Sequence, residues 1–237
     1  MARKISEICT AEDIDLIFKA SYDKANRTSV RSFRGIGLQE GCEILSAIGW
    51  ELKIPVTTDV HSPIEAEVAG NKIDMLQIPA FLCRQTDLLR AAAETNRPVN
   101  VKKGQFLAPW DVKNIADKLI AFGNDRFVFT ERGTTFGYNN LVADMRSLYW
   151  MREAGYRVIF DATHSVQRPG EGGNTTSGDS VLAPVLARAA MAVGCDGIFM
   201  EVHEDPARAL SDAANQIPLK NLPKYLRMLK AIHAAVS

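Results

Sequence analysis

A short segment of the sequence, residues 18–29 (FKASYDKANRTS), carries side chains suited to binding an anion. Lys19, Lys24 and Arg27 supply positive charge, and hydroxyl residues stand between them. An arginine binds phosphate through its planar guanidinium fork, whereas a lysine acts as a point charge. The segment follows the mostly apolar residues 14–18, which predict a buried strand, so we expect an anion-binding loop at a strand end. A solvated basic loop is the alternative, because charge runs usually face water.

The same arrangement recurs along the chain, because a polar side chain stands at or just after the end of each of seven short apolar runs. Helix-sized segments separate the runs, which indicates parallel βα units. The polar residues at the run ends are Lys19, Asp59, Gln77, Lys102, Arg132, His164 and Glu201. A barrel brings all its strand C-termini to one mouth, whereas an open doubly wound sheet uses mainly the strands beside its switch point, so this pattern favours a barrel.

The predicted elements alternate regularly. The predicted strands are residues 16–19, 55–60, 75–79, 99–102, 127–130, 158–161 and 197–201. The predicted helices are residues 37–50, 64–68, 86–95, 109–122, 141–153, 181–193 and 222–236, with residues 2–10 as the tail of an earlier helix. Because no low-complexity linker divides the chain, we expect residues 1–237 to form a single α/β domain, a (β/α)8 TIM barrel that is one strand short of eight.

Composition limits the classes of function. The 28 Lys and Arg residues balance 28 Asp and Glu residues, so no overall field attracts nucleic acid or an anionic membrane. No apolar run is long enough to span a bilayer, and residues 1–13 lack the apolar stretch of a signal peptide. The four cysteines form no CxxC pair, which favours reduced thiols and a cytoplasmic location.

Four cationic residues could together neutralise a phosphorylated carboxylate, which carries several negative charges; they are Lys19, Lys24, Lys102 and Arg132. Lys103 should point to the face opposite Lys102, because side chains alternate along a strand. Structural ion pairs are the alternative role. Lys102 could pair with a carboxylate such as Asp59, and Arg132 could pair with Glu131 or Asp161.

Candidate metal ligands lie towards the end of the chain, at His164, Glu201, His203 and Asp212. A divalent ion such as Mn²⁺, Fe²⁺ or Zn²⁺ accepts an imidazole together with carboxylates. No short-spaced ligand pair marks the site, so hydrogen-bonded structural roles stay open, and Asp212 could cap a helix. The glycine-rich residues 168–180 have the length of a lid or of a disordered loop.

Long strings in this sequence resemble the 3-deoxy-D-manno-octulosonate 8-phosphate synthases, also called 2-dehydro-3-deoxyphosphooctonate aldolases. The strings are FKASYDKANRTSVRSFRG, TTDVHSP, LQIPAFLCRQTDLL, VNVKKGQFLAPWDVKN, TERGTTFGYNNLVADMRS, FDATHSVQ and GIFMEVHEDPARALSDAANQIPL. They cover nearly everything from residue 17 to the C-terminus. The resemblance implies a TIM barrel that condenses phosphoenolpyruvate with D-arabinose 5-phosphate and water, releasing phosphate, in lipopolysaccharide precursor synthesis.

The resemblance also assigns roles to residues. It implies that phosphoenolpyruvate is held by Lys19, Ser21, Lys24, Lys102 and Arg132, with Gln77 and the backbone near Ala80 beside it. It implies that arabinose 5-phosphate is held by Asn26, Arg27 and Thr28, where Thr28 replaces the usual serine, and by Arg84 from a neighbouring subunit. The implied catalytic residues are Lys19, Lys24, Asp59, Lys102 and His164. An arginine shared between subunits implies a homo-oligomer, which we expect to be a tetramer.

The strings LSDAANQIPL and THSVQRPGEGG resemble the metal-dependent branch of this family, which makes His164, Glu201 and Asp212 three expected ligands of a divalent Mn, Fe or Zn ion. The fourth ligand of that branch is a cysteine in a first strand of GPCxIES type. That strand is not among the predicted elements, and we do not expect Cys9, in a helix-like segment, to replace its cysteine.

Two interpretations of the missing strand follow. The chain is a shortened synthase, or its incomplete barrel is closed by a partner chain or by residues 1–13. Two alternative functions also stay open. One is a non-catalytic relic or fragment that still binds phosphorylated ligands or sister subunits. The other is a related phosphoenolpyruvate-dependent synthase that uses another aldose.

Overall fold

The protein is described by a computed structural model that covers residues 1–27, 29–169, 177–209 and 215–236. Its centre is a sheet of seven parallel strands that lie side by side in chain order. The strands are β1 (Phe18–Lys19), β2 (Val56–Asp59), β3 (Met75–Ile78), β4 (Val99–Lys102), β5 (Phe127–Glu131), β6 (Val158–Asp161) and β7 (Gly197–Phe199). All seven predicted strands are therefore confirmed, and with them the parallel α/β class.

Eight helices accompany the sheet in the described part of the chain. They are α1 (Ala2–Ala11), α2 (Leu38–Leu52), α3 (Pro63–Gly70), α4 (Thr86–Glu94), α5 (Val112–Ala121), α6 (Arg146–Glu153), α7 (Ala183–Val193) and α8 (Leu222–Val236). Each of the predicted helices is present. No helix within the described ranges has the length and apolarity that crossing a membrane requires.

The prediction of one continuous helix over residues 141–153 was wrong at its start. Leu141–Val142 pairs in antiparallel fashion with Thr134–Thr135, and α6 begins only at Arg146. The turn between the paired segments contains Gly137 and Asn139, both with positive φ. A turn of this kind reverses the chain into a hairpin, so Leu141 and Val142 extend the β5 loop instead of α6.

The core lies between the sheet and the helices. Large side chains with almost no exposed surface fill it from both sides, and they include Leu76, Ile78, Phe129, Phe160, Leu89, Ile115, Leu119, Leu148 and Met151. Burying one such side chain contributes about 1.5–3 kcal/mol. This layer holds the strands in register, so that their C-terminal ends lie at one edge of the sheet.

The register of the strands sets the polar ends beside one another. Asp59 of β2 pairs with Gln77 of β3, and Asp161 of β6 pairs with Phe199 of β7. Lys102 of β4 lies opposite Thr130 of β5. The prediction that polar residues gather at the C-terminal ends of the strands is thereby confirmed.

Strands β1 and β7 form the two edges of this sheet, and helix α1 lies across the opening between them. Ion pairs fix α1 at both sides: Arg3 contacts Glu51 of α2, and Glu12 contacts Arg227 of α8 at 2.6 Å. Under α1 is a cavity of about 370 Å³ whose lining includes residues of both edges and of α1, among them Cys9, Phe18 and Ile198. Helix α1 thus covers the opening without adding a strand to the sheet.

Candidate active site

The first cluster of the site joins β1 to β2. Lys19 Nζ lies 3.0 Å from Asp59 Oδ1 and donates a hydrogen bond of 2.6 Å to Ser21 Oγ. Burial alone would lower the pKa of Lys19, but the carboxylates of Asp59 and Glu201 outweigh burial and raise that pKa. Burial would raise the pKa of Asp59, yet Lys19 and further partners hold it well below its usual range. Lys19 therefore stays a fixed cation at the mouth, which is the edge of the sheet where the C-terminal ends of the seven strands lie.

His61 connects this cluster to helix α3. Its Nε2 lies 3.0 Å from Asp59 and its Nδ1 lies 3.0 Å from Glu65. Because carboxylates only accept hydrogen bonds, both ring nitrogens must carry protons to satisfy both contacts. Burial would lower the pKa of His61, but the bonds to Asp59 and Glu65 outweigh burial and raise it. His61 is thus held as an imidazolium behind Asp59.

The start of α3 explains why Glu65 is available to His61. Ser62 caps the helix and accepts the backbone N–H of Glu65, and Pro63 occupies the first turn. This S-P-x-E sequence is typical of a capping box. Glu65 in turn accepts the backbone N–H of His61 at 2.9 Å and the hydroxyl of Tyr22 at 2.5 Å. The cap thereby fixes the carboxylate that fixes His61.

The second cluster joins β4 to β6. Lys102 Nζ donates to Asp161 Oδ2 and lies 3.9 Å from the ring centroid of Phe199. Burial lowers the pKa of Lys102, and the nearby cations Lys19 and Arg132 lower it further, against the opposing effect of Asp161. Lys102 is therefore held less firmly in its charged form than an ordinary exposed lysine. The suggested pairing of Lys102 with a carboxylate is confirmed, but the partner is Asp161 and not Asp59, which contacts Lys19.

Asp161 contacts Lys102 and His164 at once. It contacts His164 Nδ1 at 2.8 Å through Oδ2 and accepts the His164 backbone N–H through Oδ1 at 2.9 Å. Burial alone would raise the pKa of Asp161, but His164 and Lys102 outweigh burial and hold it well below its usual range. Because the carboxylate accepts from Nδ1, the Nε2 atom of His164 is left to face the mouth.

Arg132 follows β5 and is almost fully buried. Its guanidinium donates to Gln167 Oε1 at 2.7 Å and to the His164 carbonyl at 3.3 Å. These contacts come from the segment after β6, so Arg132 is held by polar groups there. The suggested ion pair with Glu131 or Asp161 was wrong, because Glu131 pairs with Lys103, and Asp161 pairs with Lys102 and His164.

His164 and Glu201 meet at the mouth, as expected for two metal ligands. His164 Nε2 lies 3.6 Å from Glu201 Oε1, and Lys24 Nζ lies 3.9 Å from the same oxygen. Glu201 Oε2 is buried and has no hydrogen-bond partner, which is costly unless a ligand or ion satisfies it. An imidazole fixed by a carboxylate, beside a carboxylate with an unsatisfied oxygen, is the kind of donor set that a divalent ion accepts.

The third expected ligand, Asp212, lies outside the described residues, as does Thr28. Residues 170–176 of the expected lid are also outside them. Across the described ranges no group of three or more His, Cys, Asp or Glu side chains is arranged to hold a metal. Cys9 lines the same cavity as Lys19 and Glu201, and burial raises the pKa of its thiol, which disfavours the thiolate that a metal needs.

The remaining predicted residues divide between the mouth and its rim. Gln77 and Ala80 are buried at the end of β3, and Gln77 Oε1 has no hydrogen-bond partner. Arg27 is half-buried, and its Nε atom is likewise without a partner. Asn26 and Arg84 are exposed. The unsatisfied atoms of Gln77 and Arg27 leave a hydrogen-bond acceptor and a donor for bound ligands.

The sequence analysis did not include Asp161, His61, Glu65 and Gln167 among the site residues. A signal for His61 was present, because it stands two positions after Asp59 and residues at this spacing share a face of a strand. Asp161 is the last residue of its strand and could have been counted among the polar ends. Glu65 and Gln167 act through contacts to Tyr22, His61 and Arg132 that no spacing in the sequence indicates.

Comparison with known proteins agrees with the resemblance seen in the sequence. Residues 1–237 match the DAHP synthetase I family. The 2-dehydro-3-deoxyphosphooctonate aldolase of Geobacter sulfurreducens is 56% identical over 235 residues, which are 99% of this chain and 86% of that protein. Those of Geotalea uraniireducens and Pelobacter propionicus are 55% and 57% identical, with the same coverage. The resemblance seen in the sequence is confirmed, and the chain belongs to the DAHP synthetase I family, alongside the 2-dehydro-3-deoxyphosphooctonate aldolases.

Proposed function

We propose that this protein condenses phosphoenolpyruvate with D-arabinose 5-phosphate and water to form 3-deoxy-D-manno-octulosonate 8-phosphate and inorganic phosphate, a step in lipopolysaccharide precursor synthesis. The observation that carries this proposal is the group of cations at the mouth. Lys19 and Arg132 lie close enough to Lys102 to lower its pKa. Like charges are gathered in this way at sites that bind a multiply charged anion, and the names of the relatives support the same substrate chemistry.

The cations align two substrates that would otherwise repel each other. Lys19, Lys24, Lys102 and Arg132 bind the phosphate and carboxylate of phosphoenolpyruvate, so that C3 of the enol faces the aldehyde carbon of the sugar. The new C–C bond forms between these atoms, water adds at C2, and the hemiketal phosphate then loses phosphate by C–O cleavage. Holding both reactants in place lowers the entropic part of the activation barrier for the condensation.

Individual residues have defined tasks in this scheme. Asp59 holds Lys19 as a cation, and Asp161 orients both Lys102 and His164. Because Lys102 has the lowered pKa, it is the group that we assign to deliver a proton to the oxygen that becomes negative when the aldehyde is attacked. Arg27 supplies a donor for the sugar phosphate, together with Asn26 and Thr28.

We also infer a divalent metal ion of the Mn, Fe or Zn type, held by His164, Glu201 and Asp212. The unsatisfied Oε2 of Glu201 and the fixed Nδ1 of His164 support this inference. Such an ion supplies Lewis acidity, which polarises an oxygen of a substrate held near it. Asp161 contributes by keeping the Nε2 atom of His164 turned to the mouth.

We further infer a cytoplasmic homo-oligomer, with a tetramer as the expected state. Loops at the ends of several strands expose apolar side chains around the mouth, namely Val30, Phe33, Ile36, Phe81, Phe106, Phe136, Tyr138 and Val181. The gathering of exposed apolar side chains in loops at one edge of the sheet supports a protein partner there. Arg84 is exposed in one of these loops, which fits contact with a neighbouring subunit. The four cysteines are free, as suits a reducing compartment.

The test is phosphate release from phosphoenolpyruvate plus arabinose 5-phosphate, first with a chelator and then with added Mn²⁺ or Zn²⁺. We expect turnover that depends on both substrates and on the metal. A folded protein that binds both substrates without releasing phosphate would instead be the non-catalytic relic. Turnover with another aldose in a panel of four- to six-carbon sugars and their phosphates would point to the related synthase.

A further inference from the structure

A buried ion pair lies directly behind the cations of the mouth. Lys103 is 0% exposed and Glu131 is 2% exposed. The Nζ atom of Lys103 lies 3.5 Å from Oε2 of Glu131. Each residue is the chain neighbour of a mouth cation, because Lys103 follows Lys102 and Glu131 precedes Arg132. The pair therefore links the ends of β4 and β5 at the point where both present a cation.

Lys103 is held by oxygens of two loops. Its ammonium group donates to the Leu107 carbonyl at 3.0 Å and to the Gly104 carbonyl at 3.3 Å, both in the loop after β4. Thr134 Oγ1, in the loop after β5, lies 3.5 Å from the same nitrogen. The backbone N–H of Lys103 also donates to Thr130 of β5 at 2.8 Å. One side chain thus ties the β4 loop to the β5 loop.

Glu131 extends this connection to helix α6. One carboxylate oxygen accepts the backbone N–H of Gly133 at 2.7 Å, and the other accepts the hydroxyl of Ser147 at 3.0 Å. Gly133 has a φ of +90°, so the chain turns sharply directly after Arg132. Glu131 thereby fixes the turn that sets the direction of the Arg132 side chain.

A buried ion pair is a poor source of stability. Taking two charges out of water costs several kcal/mol per ion, and apolar residues of similar volume often stabilise a protein equally well or better. Lys103 and Glu131 do not reach the mouth, because Lys102 and Arg132 point there from the adjacent positions. If Lys103 and Glu131 served stability alone, a pair of apolar residues would serve equally well.

We propose that Lys103 and Glu131 are positioning residues that fix the spacing between Lys102 and Arg132 and so set the affinity for phosphoenolpyruvate. This inference rests on the proposed function, because it takes phosphoenolpyruvate as the anion that both cations bind. The pair holds the two strand ends at one separation, and the two cations then meet the phosphate and carboxylate without rearranging. Loss of the pair should weaken binding of phosphoenolpyruvate more than the chemical step.

Four variants test the proposal. Lys103→Met and Glu131→Gln each leave one buried partner unmatched, so both should lower the melting temperature. The double variant Lys103→Met/Glu131→Gln removes both charges and should regain most of that stability. We nevertheless expect it to bind phosphoenolpyruvate about tenfold more weakly, with kcat and the KM for arabinose 5-phosphate changed less than threefold. Ser147→Ala, which removes a single hydrogen bond to Glu131, should fold normally and weaken binding about two- to threefold.

The matched control is the exposed pair of Lys113 and Asp117, which lie 2.5 Å apart on α5. Its double variant Lys113→Met/Asp117→Asn should leave phosphoenolpyruvate binding unchanged. Binding is measured by calorimetry, which does not need turnover. If the wild type fails to bind phosphoenolpyruvate, the proposed function is wrong and this inference is wrong with it. If the wild type binds phosphoenolpyruvate, and the double variant and Ser147→Ala bind it as tightly as the wild type does, the inference alone is wrong.

Discussion

Lys19 Nζ lies 3.0 Å from Asp59 Oδ1, and the side chains of both residues are largely enclosed, at 15% and 13% exposure. Removing one partner of a buried charge pair typically costs about 3–5 kcal/mol of folding stability, because the other charge is left uncompensated. The position of Lys19 therefore depends on Asp59 of the neighbouring strand β2.

The first prediction concerns Asp59→Asn. Without the carboxylate, Lys19 loses the charge that keeps it protonated and in place, so kcat/KM should fall at least about 100-fold, which is about 2.7 kcal/mol at 1.36 kcal/mol per tenfold change. Steady-state kinetics of phosphate release measures this loss. The control is Asp117→Asn, which changes an exposed carboxylate and should retain full activity. Equal activity of the two variants would contradict the role given to Asp59.

The second prediction concerns pH and His61. The pKa of His61 is raised in the folded protein by Asp59 and Glu65, which outweigh burial. A group whose pKa is raised on folding contributes stability that is fully present below its unfolded pKa, about 6.5, and that is lost as pH rises through the folded pKa. The difference in free energy of unfolding between the wild type and His61→Gln should therefore be largest at about pH 6.

Denaturant unfolding at a series of pH values between about 6 and 9 measures this difference. We expect the gap between the two proteins to narrow as the pH rises. A gap for His61→Gln that stays constant or widens with pH would mean that the folded protein does not hold His61 as an imidazolium.

The third prediction concerns the metal. His164→Ala and Glu201→Gln should each lower the affinity for Mn²⁺ or Zn²⁺ by at least about tenfold, since each removes a proposed ligand. His203→Gln is the matched control, because His203 lies two positions from Glu201 and its Nδ1 accepts the backbone N–H of Asp205. Competition with a chelating dye measures all three. Unchanged affinity in both ligand variants would place the metal elsewhere or exclude it from this site.

The fourth prediction concerns the turn that presents Asn26 and Arg27. A Cβ atom at Gly35, which has a φ of +137°, would lie 2.1 Å from the carbonyl oxygen of Tyr22. Gly35→Ala must therefore displace this segment. We expect the KM for arabinose 5-phosphate to rise at least about tenfold, with phosphoenolpyruvate affinity changed much less.

Gly137→Ala is the control for this change. Gly137 also has positive φ, but a Cβ there would meet nothing within 4 Å. The control thus places an alanine at another position of positive φ, without a collision. If both variants raise the KM equally, the collision at Tyr22 does not explain the effect of Gly35→Ala.

Much of the fold could be predicted from the sequence, because short apolar runs and helix-sized connections carry local signals. Strands β4 and β6 match their predicted bounds, and every helix was anticipated. One exception is the hairpin that contains Leu141, since its formation depends on pairing with Thr134–Thr135. A tertiary pairing of this kind leaves little trace in hydrophobic spacing. The single-domain prediction stays a prediction.

The site was predictable as a set of residue types but not as a set of partners. Strand ends indicated that Lys19, Asp59 and Lys102 would share one mouth. Which carboxylate pairs with which lysine depends on the register and curvature of the sheet, so the sequence could not assign Asp59 to Lys19 and Asp161 to Lys102. The length of the Arg132 side chain likewise allowed several partners, and only the folded chain selects Gln167.

The position of the mouth across the two edges of the sheet has a consequence for how the protein resists local opening. Lys19 belongs to β1, and Glu201 follows β7, while within the described residues β1 pairs only with β2 and β7 only with β6. Phosphoenolpyruvate bound at Lys19, together with the metal proposed at Glu201, would join edges that the backbone leaves unjoined. At a ligand concentration 100 times its Kd, such a bridge would add about 2.7 kcal/mol to stability. Bound substrate and metal should therefore slow amide hydrogen exchange most in β1 and β7, because they link the two edge strands.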